Sequence, residues 1–235
     1  MDNFCSIIAG ARTSGHGRRM RNLLIRLSFV LILLAGPARA QTPPEIAGGY
    51  FTSQPEVASE LMLKPDGRFQ WYLSYGALDE NATGRWTRQG DTVLLTTEPA
   101  VKPPVFSLDA AVPDPEKALK IRVAGPDGKP IGRVDIALIG AGGDAQTAST
   151  DENGTAVFAK PGTGRLSVKL GIRVFGVASD AFPVDLTKGN LMLFRFEPND
   201  LGRADFKAAP VRIEEGALVL ERWGIALKYH PADAE

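Results

Sequence analysis

Between Glu60 and Thr97 the sequence ELMLKPDGRFQWYLSYGALDENATGRWTRQGDTVLLTT alternates apolar with polar residues and is broken by turn formers every few positions. Side chains on a strand point to opposite faces with period two, so this pattern constrains the chain to antiparallel β-structure. Pro65-Asp66-Gly67 supplies a fixed φ followed by residues that tolerate positive φ, which closes a hairpin after Leu61 and Leu63. On the return strand Arg68 to Tyr75, alternation puts Phe69, Trp71, Leu73 and Tyr75 on one face and Gln70, Tyr72 and Ser74 on the other. Asp79, Asn81 and Gly84 mark a loop, Arg85 to Arg88 a third strand, Gln89-Gly90-Asp91 a turn and Thr92 to Thr97 a β-branched fourth strand. Such a meander has one apolar face and cannot seal it alone.

The chain opens with a different signal. Arg18, Arg19, Arg21 and Arg26 precede an apolar run, Leu27 to Gly36, that ends in Pro37 and the small-x-small site Ala38-Arg39-Ala40. Residues 1–40 read as a secretory signal peptide cleaved after Ala40, with Met20 as an alternative start, and the run is shorter than the roughly 20 residues a spanning helix needs. Six of the 27 basic residues and one of the 27 acidic ones lie in this leader, leaving 21 against 26 in the mature chain. That negative balance disfavours nucleic acid and anionic lipid as partners. Cys5 and His16 also leave with the leader, so the mature chain has no cysteine and one histidine, His230. Disulfides, thiolate nucleophiles and cysteine metal sites are thereby excluded.

Within the mature chain, residues 41–98 hold the meander, preceded by a short Pro43-Pro44 lead-in and an edge strand at Gly48 to Phe51. Residues 99–117 carry Pro99, Pro103, Pro104, Pro113 and Pro115 and read as a linker with one edge strand at Val105 to Leu108. Residues 118–186 give the clearest alternation, with Leu119, Ile121 and Val123, then Val134, Ile136 and Leu138, then Leu166, Val168 and Leu170. Turn chemistry at Gly125-Pro126-Asp127-Gly128 and Asp151-Glu152-Asn153-Gly154 separates them, and many short strands at regular spacing indicate a sandwich. Residues 187–235 return to strands with turns at Glu215-Gly216 and Trp223-Gly224, and Asn199 to Phe206 reads as a single helical turn.

The motifs GPDGKPIGRVDIALI, TDENGTAVF and RLSVKL resemble the carboxypeptidase regulatory-like modules of the transthyretin (prealbumin) type. The resemblance implies a seven-stranded, Greek-key-like sandwich that accompanies other domains and usually performs no catalysis. Hydroxyisourate hydrolases of that type end in Tyr-Arg-Gly-Ser, which this chain lacks, so no catalytic residue carries over. The flanks resemble lipocalin-like and copper-resistance-lipoprotein barrels through Pro65-Asp66-Gly67 with Phe69 and through Gly84-Arg85-Trp86.

The class is therefore all-β: an antiparallel meander or half-barrel in which the first and last thirds pack together, with a transthyretin-like sandwich inserted. No catalytic residue, metal site or cofactor is indicated. Asp151-Glu152-Asn153-Gly154 lacks the spaced ligands of a calcium loop, and a hydrolase serine would have only His230 as a base. The residues singled out for ligand contact are Tyr72 on the polar face, Tyr75, and the adjacent carboxylates Asp79 and Glu80, with Gly76 to Asn81 as the loop a partner would touch. The functional expectation is an exported, non-catalytic binding module, periplasmic or secreted, whose partner is a protein or envelope component. An enzyme with a carboxylate or hydroxyl site between the two β-parts, and a purely structural or adhesive module, are the alternatives. N-terminal sequencing of the exported protein should begin at Gln41; a cytoplasmic form starting at Met1 would overturn export.

Overall fold

The computed structural model describes residues 46–52 and 54–232. The leader and its cleavage site lie outside the described residues. The meander comprises β1 (Gly48–Thr52), β2 (Val57–Leu63), β3 (Arg68–Tyr75), β4 (Leu78–Gln89) and β5 (Thr92–Thr97). The chain then builds a separate set: β6 (Val105–Val112), β7 (Leu119–Ala124), β8 (Asp135–Gly140), β9 (Ala145–Ser149), β10 (Thr155–Phe158), β11 (Leu166–Ile172), β12 (Val177–Ala178), β13 (Phe182–Val184) and β14 (Leu191–Glu197). It returns as β15 (Ala209–Glu214), β16 (Ala217–Arg222) and β17 (Ile225–Pro231).

The first and last thirds do pack together, and they go further than a half-barrel. β5 pairs with β15 and β1 with β17, so eight strands close in the order β1-β17-β16-β15-β5-β4-β3-β2. Closure removes the edge expected at Gly48 to Phe51, because β1 is paired on both sides. A barrel of eight strands is about wide enough for side chains to fill it. Leu61, Leu63, Phe69, Leu73, Trp86, Leu95 and Leu227 do so here, all buried. The network in the lower barrel is polar but satisfied. Trp71 Nε1 donates to Tyr229 Oη at 2.8 Å, and Ser59 Oγ lies 2.7 Å from the same oxygen while donating to the Tyr72 carbonyl at 2.5 Å.

The inserted strands form a four-stranded sheet in the order β10-β7-β14-β6, facing a second sheet of β12, β11, β8 and β9 with β13 also on β11. β7 and β14 run parallel. Their inward faces share a core that includes Leu119, Ile121, Ile136, Leu138, Val168, Leu170, Met192 and Phe194. The expected turns behave as their residues dictate. Gly128 N donates to the Gly125 carbonyl and Gly154 N to the Asp151 carbonyl, with both glycines at positive φ.

Three expectations need correction. The residues 99–117 are more than a linker: β6 runs to Val112 and forms one edge of a sandwich sheet. Leu191–Glu197 does not belong to the closing strands, because β14 pairs with β6 and β7, and the barrel resumes only at Ala209. Asn199 to Phe206 is turn and bridge rather than helix; the described 3₁₀ turn is Arg173–Phe175. Period-two patterning shows that a segment is a strand but not which sheet it joins.

Burial pushes the Tyr229 phenol above the ordinary value of 10.0, against the pull of its bonds to Ser59 and Trp71. The folded state thus prefers the neutral phenol. Its contribution is complete below pH 10 and is lost as the pH rises towards the folded value. Tyr229→Phe should cost about 1–3 kcal/mol at neutral pH by orphaning Trp71 Nε1, and should blunt the alkaline loss of stability; urea melts at neutral and alkaline pH measure both.

Candidate functional site

The four residues singled out from the sequence all sit on β3 and β4, but the pleat divides them. β4 is one strand of twelve residues with the burial pattern BeBeBeBeBeie, so Asp79, Asn81 and Gly84 are strand positions and no loop interrupts them. Gly84 is there because a Cβ would run into the Thr96 carbonyl; the glycine that resembled a turn marks a close backbone approach. The connection between β3 and β4 shrinks to Gly76 and Ala77.

Asp79 and Glu80 accordingly point to opposite sides of the wall. Glu80 faces inward and is 5 % exposed. Arg222 grips it through two bonds, Nη2 to Oε1 at 2.5 Å and Nε to Oε2 at 2.9 Å, while Trp223 Nε1 donates to Oε2 at 2.8 Å. The guanidinium also lies 5.0 Å from the Trp223 ring centroid and 5.7 Å from that of Phe206. Glu80 is therefore an engaged structural carboxylate, because a charge inside the wall is tolerable only when its lone pairs are taken up. The sequence marks Trp223 only as half of the Trp223-Gly224 turn and gives no sign of Arg222. Trp223 adopts φ 53 ahead of Gly224 at φ 77, a two-residue turn in which a bulky aromatic accepts a left-handed backbone. That geometry aims the indole N–H at Glu80.

Tyr75 also departs from expectation. It was placed on the apolar face, yet it lies at the end of β3 and is 40 % exposed. Phe69, Trp71 and Leu73 of the same face are buried.

The outer wall brings the remaining residues together. Phe51 lies opposite Glu60, Glu60 opposite Tyr72, and Tyr72 opposite Asn81, which makes one row across β1, β2, β3 and β4. Tyr72 Oη donates to Asp79 Oδ1 at 3.3 Å. His230 is opposite Phe51 at the end of the row, and Met62 sits beside it, opposite Gly49. Phe51, Met62 and Tyr72 are 41, 41 and 43 % exposed. The missing side chain at Gly49 leaves a hollow of about 240 Å³ floored by Gly49 and Leu61 and walled by Phe51, Glu60 and Met62. Glu60 makes no ion pair among the described residues, so the face combines open aromatic surface with carboxylate charge.

Asp151 does not form a calcium loop. Its Oδ1 accepts from the Asn153 and Thr155 amides and is spent on the turn. Among the described residues no group of His, Cys, Asp and Glu is arranged to hold a metal ion, and no helix is long and apolar enough to cross a membrane. No protein-family model matches the chain, and comparison with the curated proteins finds no relative.

Arg222→Ala should destabilise the protein by about 3 kcal/mol, because it leaves Glu80 charged and unpaired in the wall. Arg222→Lys should recover only part of that, since an ammonium cannot form the two-bond fork. Asp79→Ala should change stability by less than about 0.5 kcal/mol. Denaturant melts of the three variants rank them; equal midpoints for Arg222→Ala and Asp79→Ala would show that the buried pair contributes nothing.

Proposed function

We propose that the chain is an exported, non-catalytic binding module of the cell envelope or its exterior, and that the outer wall of β1, β2 and β3 is its partner-facing surface. The observation that carries this reading is the row Phe51, Glu60 and Tyr72 with Met62 beside it, open aromatic and aliphatic surface on a barrel whose interior is occupied by its own side chains. Monomeric proteins rarely leave adjoining large apolar residues open without a use for them. Aromatic residues on a rigid wall are also what recognition surfaces favour, because little conformational entropy is lost when they are covered.

Two further features support the reading. The Arg-rich, apolar leader ending in Ala38-Arg39-Ala40 is the signal that takes a chain out of the cytoplasm. The strands from Leu119 to Leu170, with their Asp-Gly and Asn-Gly turns, keep the resemblance to carboxypeptidase regulatory-like modules of the transthyretin type, which accompany other domains. The enzymatic alternative is a carboxylate or hydroxyl site between the two β-parts, with Tyr72 and Tyr75 as hydroxyls and, as its carboxylates, Asp79 and Glu80. Their side chains lie on opposite faces of β4, and Glu80 is held by Arg222 and Trp223, so the pair cannot flank one bond.

Site-specific photo-crosslinkers placed at Met62, at Tyr72 and at the distant exposed Thr187 in the exported protein test this. Positions 62 and 72 should give an adduct of one discrete mass that position 187 does not give, and Phe51→Ser should abolish it. Equal labelling at all three positions would remove the surface from consideration. Hydrolase or glycosidase turnover that Asp79→Ala abolishes would replace the binding reading with an enzymatic one.

A further inference from the structure

A second surface is lined by charge of the opposite sign. Where the inserted sandwich meets the barrel, two shallow grooves run into one another, sharing Asp135 and Arg173. The first, of about 650 Å³, starts at Ala77 in the β3–β4 turn and passes Gly132, Arg133 and Val174. The second, of about 470 Å³, continues across the outer face of β9, β8 and β11 over Ala137 and Gly171, between Thr147 and Lys169. Its floor is made of small residues. Its walls carry three cations, Arg133, Lys169 and Arg173, against one carboxylate, Asp135. That carboxylate is already engaged, accepting from Arg173 Nη2 at 3.0 Å and Ser149 Oγ at 3.1 Å.

Arg133 is held in place from below. Its backbone sits at φ 62, outside the region that L-residues prefer. Buried Thr150 staples the stretch around it: the Thr150 carbonyl accepts from Arg133 N at 2.8 Å, Thr150 Oγ1 accepts from Val134 N at 2.9 Å, and the same hydroxyl donates to the Ile131 carbonyl at 2.8 Å. A Cβ at Gly132 would come 2.8 Å from the Asp151 carbonyl, so the approach to Arg133 also depends on a glycine. An arginine in an unusual backbone conformation, clamped by a buried hydroxyl and without a carboxylate partner among the described residues, is built to present its charge outward.

We infer that this junctional groove is a docking site for an extended acidic polypeptide segment. Three arguments select that occupant. The groove is net positive on a mature chain that is net negative, 21 basic residues against 26 acidic ones, so its charge runs against the rest of the molecule and favours anions here rather than everywhere. Arginine forks recognise carboxylates by two parallel bonds. No aromatic residue lines either part of the groove, which removes the stacking platform that an anionic glycan would use, and both parts are open troughs that suit a chain laid along them.

The test uses the mature chain and a fluorescein-labelled hexaglutamate peptide, with an oligogalacturonate of equal charge as the competing anion. The peptide should bind, shift the amide resonances of Arg133, Ala137, Lys169 and Arg173, and weaken as salt is raised. A pair at such an exposed site is worth up to about 1 kcal/mol, or about fivefold, so the double variant Arg133→Asn with Arg173→Gln should lose affinity by about fivefold and by no more than about thirtyfold. Asparagine tolerates the backbone at position 133. If that variant does not fold, Lys169→Glu, on an exposed position of β11, carries the test with the same expected loss. No binding, resonance shifts elsewhere, affinity untouched by both variants, or oligogalacturonate binding as tightly as the peptide would each overturn the inference.

Discussion

The constraint on which the architecture turns is the unequal length of two neighbouring strands. β4 has twelve residues and β5 only six, so the lower half of β4 would present a row of unpaired amides and carbonyls in the barrel wall. The chain returning from the sandwich fills that gap. Asn81 N donates to the Gly202 carbonyl at 2.9 Å, Ala204 N donates to the Asn81 carbonyl at 2.8 Å, and Thr97 N donates to the Phe206 carbonyl at 2.8 Å. Phe206 then turns inward and meets Trp71 edge-on with ring centroids 5.0 Å apart. The return limb of the insertion is thus part of the barrel's wall and of its core. The barrel cannot close around a different connection without reopening the edge of β4.

The Glu80 network follows from the same geometry. At this end of the barrel the wall is completed by segments far apart in sequence, and an inward carboxylate on β4 faces the last residue of β16. Burying Glu80 costs solvation, and Arg222 with Trp223 returns it through three hydrogen bonds. The indole does a second job on its other face: a Cβ at Gly176 would come within 2.9 Å of Trp223 Cη2, so the tryptophan packs directly on the sandwich loop that follows Arg173–Phe175. The ion pair ties the closing hairpin to β4 within the barrel, and the Trp223 ring carries that hairpin onto the inserted module. Specificity of docking, more than raw stability, is what a buried pair of this kind supplies, since an apolar replacement would pack but would not fix the register of the hairpin.

How much of this was legible in the sequence can be judged from particular residues. The strand class, the Pro65-Asp66-Gly67 and Asp151 to Gly154 turns, and the inward sets Phe69, Trp71, Leu73 and Leu119, Ile121, Val123 follow from period-two alternation and turn chemistry, both local properties. The packing of the first and last thirds was legible too, because the meander's open apolar face demands a cover; the residue-level partners across the sheets were not. Gly84 resembled a loop because its real reason, the Thr96 carbonyl across the sheet, is not visible in its neighbours. Glu80 resembled a surface acid because Arg222 lies 142 residues away. Leu191–Glu197 has the pattern of any strand, and only its parallel pairing with β7 assigns it to the sandwich. The sequence does carry one signal: in Trp223-Gly224 a tryptophan takes the first place of a two-residue hairpin turn, where small polar residues are the rule. A bulky residue in such a turn is there for what it touches.

The same constraint also determines where binding surfaces can form. A filled eight-stranded barrel offers no interior, so recognition must use its outer wall or its junction with the insertion. On the wall, β1 to β3 are consecutive in the closed order on the far side of β4 from the patched gap, and they leave Phe51, Met62 and Tyr72 open beside Glu60. At the junction, the return limb fixes the sandwich close enough to the β3–β4 turn for Ala77 to share a groove with Arg133 and Arg173. The first surface is aromatic and acidic and the second is basic, and they belong to different modules. Because Trp223 packs on Gly176 and the return limb bonds to Asn81, barrel and insertion meet at two places, and the two surfaces keep a set spacing and orientation that a flexible linker between two domains would not provide.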